Sequence, residues 1–166
     1  MRSLRPLVLA FVLAPVGVLA GAGAALAQAP ERFAFTEQDP GVIDCGGFED
    51  HFTDFFDVKG TTFFGAGGVP VRMVLNVVHH SNDTNSVTGL TVHEHGHFIE
   101  TFDMRTGTVT VTGNQEVANR PGTGVVVQDT GRIVFDADGN VVFFAGGRNH
   151  SEELLGDQVL CDALAP

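Results

Sequence analysis

The feature that most constrains this chain is a period of two that keeps restarting between turn residues. In Val69–His80, Val71, Met73, Leu75 and Val77 fall on one face, with Arg72 and Asn76 on the other. In 107–118, Thr108, Thr110 and Thr112 alternate with Val109 and Val111. Successive side chains of a strand point to opposite faces, so this pattern predicts half-buried strands rather than helices. Gly, Asn, Asp and Pro punctuate the runs. Ser81–Ser86 reads as a polar turn, Asn119–Gly124 as a Pro/Gly loop, and Asp138-Gly139-Asn140 as a hairpin turn. Strands are expected over 48–58, 61–66, 69–80, 87–103, 107–118, 125–128, 132–135 and 141–144. Short helices are expected over 151–155 and 157–164. No strand–helix–strand spacing occurs, which excludes a parallel sheet. The expected fold is all-β: an antiparallel up-and-down meander closing into a barrel of about eight strands, with a short C-terminal helix. A β-sandwich is the runner-up.

The N-terminus carries the pattern of a secretory signal. Arg2 and Arg5 precede an uncharged apolar run, Leu7–Leu26, and Ala25-Leu26-Ala27 supplies small residues for cleavage before Gln28. The expected organisation is a signal peptide over 1–27, a flexible leader or at most an edge segment over 28–44, and one β-barrel domain over 45–166. The expected location is extracellular, with no membrane association once the signal is removed. Loss of Arg2 and Arg5 takes the formal charge from −11 to −13. Such acidity argues against nucleic acid, which needs clustered Lys and Arg, and against anionic lipid surfaces. Export permits a disulfide, and the two cysteines, Cys45 and Cys161, are expected to form one that ties the ends of the domain together.

A resemblance enters through the frame Cys45, the 71–77 strand, the 87–96 segment, Thr108-Val109-Thr110-Val111, the hairpin from Gly131-Arg132-Ile133-Val134-Phe135 through Asp136-Ala137-Asp138-Gly139-Asn140-Val141, and Cys161. It resembles small secreted actinobacterial proteins whose pattern is similar to the allene oxide cyclase and dirigent-type eight-stranded barrel. The resemblance covers 45–164 and implies a central apolar cavity, and by fold analogy a cyclase or isomerase activity. No catalytic residue can be matched position by position. The chain also has no Tyr and no Trp, which argues against a sugar-stacking platform.

The candidate chemistry centres on His93-Glu94-His95-Gly96-His97. Histidines at i and i+2 of a strand share a face about 6.6–6.8 Å apart, within reach of one ion. The expected metal ligands are His93 and His95, joined by His97 if Gly96 marks a bulge, and by Glu100, for a divalent transition metal. Gly89, His93, His95, Glu100 and Gly107 resemble the first motif of cupins, although the spacing after Gly89 is short and no second motif follows. A solvated polar face is the plainer reading of the same histidines. Pairing about a turn centred between Asp83 and Thr84 sets His93 opposite Val74 and leaves His79 and His80 outside the cluster.

Other chemistry has less support. Asp136-Ala137-Asp138-Gly139-Asn140 imitates part of a calcium loop but lacks the terminal Glu and reads as a turn. Only Ser81, Ser86 and Ser151 lie beyond the signal, none in a nucleophile elbow. Phe is abundant, and neighbours such as Phe55-Phe56 and Phe143-Phe144 place one ring on each face. The outer ring then needs cover from a helix, a loop or a partner subunit, so a homo-oligomer is an expectation. The leading functional expectation is a secreted, non-catalytic barrel that binds a small apolar ligand or a partner. The alternatives are a cupin-like metal protein at His93/His95 and the cyclase-type enzyme.

Overall fold

The computed structural model describes residues 28–146 and 158–166. The putting-together of the sheet follows chain order. Strands β1 (Glu31–Asp44), β2 (Glu49–Phe64), β3 (Pro70–Asn85), β4 (Thr91–Asp103), β5 (Thr108–Arg120), β6 (Gly124–Phe135) and β7 (Val141–Gly146) form one antiparallel sheet in the order β1 to β7. Helix α1 (Gln158–Leu164) follows. The all-β meander and the C-terminal helix are as the alternation predicts. Seven strands are present among the described residues, and the hydrogen-bonded order is open rather than cyclic. The signal-like segment, the expected 151–155 helix, His150 and Ser151 lie outside the described residues.

Residues 31–44 form a full-length strand. Phe33 and Phe35 face inward, and the Phe33 ring lies over Gly60, its cross-strand partner. Phe52 likewise covers Gly41. A ring laid over a strand glycine fills the space that a missing side chain leaves, and it pins the register. Pro40 is tolerated because β1 is an edge strand within the described sheet, where an N–H can be given up.

Strands β3 and β4 extend beyond the expected boundary. Ser81–Asn85, expected to turn, continues β3, and His80 pairs with His95, Asn82 with His93 and Thr84 with Thr91. The turn moves to Ser86–Leu90. There Asn85 Oδ1 accepts from the N–H groups of Val87 and Thr88, and Gly89 takes φ +71°. The pairing is therefore displaced by eight positions from one centred at Asp83–Thr84. The polar Ser81, Asp83 and Asn85 misled the reading because they point inward, where polarity is rare.

One face of the sheet carries the buried positions, and among the described residues the seven-residue helix α1 packs against part of it. Two apolar clusters line it. At one end Val92, Ala118 and Val127 pack against Leu160, Ala163 and Leu164 of α1. At the other, Val58, Leu75 and Val77 pack with Phe33, Phe35, Phe56, Met73, Phe98 and Phe102. Helix α1 is fastened to its end by Arg120, which donates to the carbonyls of Ala163 and Ala165, and by Asn85, which donates to that of Leu164. The Cys45–Cys161 disulfide, with Cα atoms 5.4 Å apart, ties α1 to the β1–β2 connection. Among the described residues no helix is long and apolar enough to cross a membrane.

Two predictions concern this end of the fold. Replacing both cysteines by Ser should lower the unfolding free energy by about 2–5 kcal/mol, because the bond restrains a long loop in the unfolded chain. Leu164→Ala should cost about 2–5 kcal/mol through loss of a fully buried side chain. Urea unfolding measures both, and a midpoint unchanged by either substitution contradicts the anchoring role of α1.

Candidate functional site: a carboxylate belt with one inward histidine

The middle of the buried face is polar. Asp50, Asp83, Glu94, Glu116 and Asp129 are buried, and Asp54 is nearly so. These side chains come from five strands, β2 to β6, and form a polar belt; Asp54, Glu94 and Glu116 lie toward its middle, while Asp83, opposite Val92, and Asp50, opposite Asn85, lie at the α1 end. Alternation explains the inward aim of Asp54 on β2 and Glu94 on β4, each two residues from another inward position. Glu116 needs one further device. Between β4 and β5 the register shifts, so that His95 pairs with Val117 and His97 with Asn114. The extra residues are on β5, where Gln115 and Glu116 together oppose Gly96. A bulge re-aims the side chains around it. Here it leaves Glu116 buried and opposite Asp129.

Gly96 makes the bulge possible. A Cβ there would sit 2.2 Å from the carbonyl oxygen of Gln115. The expected bulge near Gly96 is thus present, but on the neighbouring strand. Alternation along β4 stays regular, and His97 is not redirected.

The six described histidines divide by face. His93, His95 and His97 are exposed on the outer face, together with His80. A ring nitrogen of His93 lies 2.6 Å from Asn82 Oδ1, and one of His97 lies 3.3 Å from Asn76 Oδ1. The ring of His80 stacks on Phe55 at 4.9 Å. His51 lies 3.0 Å from Glu49 at the surface. Glu100 is on the opposite face from the three expected histidine ligands, across from Leu75 and Val111 in the apolar end. His93, His95, His97 and Glu100 therefore do not form one group with ligand atoms within 4.8 Å of each other.

His79 is the histidine that faces inward. It is 9% exposed, its ring stacks on Phe56 at 4.8 Å, and its Nε2 lies 3.3 Å from Asp54 Oδ1. Among the described residues, Asp54, His79 and Glu94 are the group whose ligand atoms all lie within 4.8 Å of one another. Sequence reasoning set His79 aside because its pairing placed it in a turn. The available signal was parity: His79 continues the inward series Leu75 and Val77.

Several of the outer Phe rings have local polar or aromatic neighbours. His80 stacks on Phe55, the guanidinium of Arg72 lies 4.2 Å from the centre of the Phe63 ring, and that of Arg132 lies 5.6 Å from Phe143. The 136–140 segment is a turn. The Asp136 carboxylate accepts from the N–H groups of Asp138 and Asn140 and from the Asn140 amide. These bonds, chiefly the Asn140 backbone N–H, hold its pKa below the ordinary value. Two shallow depressions run along β1–β3, and neither is lined by Asp54, His79 or Glu94.

The fold and site together define a class: an all-β, disulfide-closed meander with a carboxylate–histidine belt on its buried face. No family model, no curated protein and no solved structure matches the chain.

Gly96→Ala should destabilise the protein and move Glu116, because the added methyl must displace the Gln115 backbone. Urea unfolding reads the first effect and the amide chemical shifts of β5 the second; a neutral substitution with unmoved shifts contradicts the close approach. The lowered Asp136 pKa also has a sign. Its contribution is fully present above about pH 4 and fades as pH falls through the lowered value. The stability gap between wild type and Asp136→Ala should therefore narrow on acidification from pH 6 to pH 3. A constant gap speaks against the turn's charge dependence.

Proposed function

We propose that the chain is an exported, non-catalytic binding protein that takes a small, largely apolar molecule at the end of its buried face remote from α1. The observation that carries this reading is an asymmetry. One end of the face is plugged by α1, whereas the other presents Phe33, Phe35, Phe56, Met73, Phe98 and Phe102 only partly buried. Concave, mostly apolar surfaces with a few polar groups at one end are where small ligands bind. Export is supported by the charged, apolar and small-residue pattern of 1–27 and by the disulfide. In this reading the curl of the sheet ends with β1 approaching β7. That closure is the barrel which the sequence resembles, and it is supported by one-sided burial in a sheet with no second layer among the described residues.

A neutral naphthylamine dye tests the reading. The chain contains no Trp and no Tyr, so dye emission is read without protein background. Phe98→Ser and Phe102→Ser should each weaken dye binding about tenfold or more, in line with about 1.5–3 kcal/mol for a buried aromatic side chain. Phe143→Ser, on the outer face, should leave it unchanged. Equal affinity in all four proteins, or no dye uptake by the wild type, overturns the proposal.

A further inference from the structure

We infer that Asp54, His79 and Glu94 form a site for a single first-row divalent transition ion, with Zn2+ and Mn2+ as the fitting chemistry. This inference is independent of the apolar-ligand reading and moves the metal site from the outer histidines to the inner face.

Three observations converge on these residues. The first is ligand spacing. Two donors bound to one tetrahedral ion at about 2.0–2.1 Å lie roughly 3.3–3.4 Å apart. The His79 Nε2 to Asp54 Oδ1 distance is 3.3 Å, and Glu94 completes a set within 4.8 Å. The second is the space between the donors. Asp54 and Glu94 belong to one cross-strand row, and the residue between them is Ser81. Its hydroxyl is turned away to the Thr53 carbonyl at 3.1 Å. In the neighbouring row His79 stands between Phe56 and Gly96. Phe56 fixes the plane of the imidazole by stacking, and Gly96 contributes no side chain. Ser81 thus places no bulky side chain between the two carboxylates, and the Gln115 carbonyl fills the space beside Gly96.

The third observation is charge. Asp83, Glu116 and Asp129 are buried on the same face. Burying a carboxylate away from water is costly, and a bound cation is one way such a group is compensated. One imidazole nitrogen with two carboxylate oxygens is a donor set for borderline and moderately hard ions, and it selects against Cu(I)-type soft ions. The outer histidines lack this context: His80, His93, His95 and His97 are exposed, His93 and His97 beside asparagines, His80 on Phe55, and His95 across from His80.

Equilibrium dialysis of the disulfide-bonded protein, exported from the full chain, against Zn2+ and Mn2+ tests the site. The expected result is one ion per chain, with affinity lowered at least tenfold in His79→Gln and Glu94→Gln. It should be unchanged in His93→Ala/His95→Ala. Stoichiometric binding lost in the outer double variant but kept in His79→Gln overturns the inference, as does no uptake of either ion by wild type. X-ray absorption of Zn2+-loaded wild type guards against variants that fail to fold. One imidazole with oxygen neighbours is expected, and two or more imidazoles overturn the assignment.

Discussion

Among the described residues, a single sheet with one seven-residue helix has no second layer against its apolar face. That constraint governs the rest of the molecule. Many inward positions on β2–β6 are therefore buried whatever their chemistry, Asp83, Glu94, Glu116 and Asp129 among them. Both apolar clusters lie on this face, and α1 packs against one of them. Its attachment is correspondingly redundant: a disulfide, Arg120 and Asn85 all hold a helix too short to persist alone.

The middle of the face is where sequence and burial conflict. Asp83, Glu94 and Asp129 sit at alternating positions that a core would normally fill with Val or Leu. Buried carboxylates are tolerated only where other groups answer their charge. The structure gathers them into one belt instead of scattering them. It brings His79 among them and uses small residues, Ser81 and Gly96, beside it. The bulge on β5 shows that this is specified locally. Without the displaced register at Gln115, Glu116 could not share the belt with Asp129.

Histidine sorting follows from the same geometry. His93, His95 and His97 are conspicuous in the chain, yet their odd-numbered positions on β4 face solvent. His79 is inconspicuous beside His80, yet it shares parity with Leu75 and Val77. A compact motif on a strand therefore marks a face, and the face has to be assigned before any ligand role.

Much of the architecture was legible in the chain. Period-two alternation marked the β3 and β5 strands, the Asp-Gly-Asn turn marked the β6–β7 hairpin, and the cysteines marked the bond that closes the domain. All of these depend on contacts between near neighbours or on simple pairing of two residues. The expected site residues His93 and His95 were placed correctly on a common face, but the expectation did not establish which face was buried. The β3–β4 register was missed because Ser81, Asp83 and Asn85 have the composition of a loop, and only their partners across the sheet and in α1 make them strand residues. The 31–44 strand was also not evident, since its order comes from rings laid over glycines of β2 and β1. Local chemistry, read residue by residue, determined the strands and turns. The tertiary structure alone decided register and the meeting of Asp54, His79 and Glu94, because these depend on free energies shared between strands that the chain order does not display.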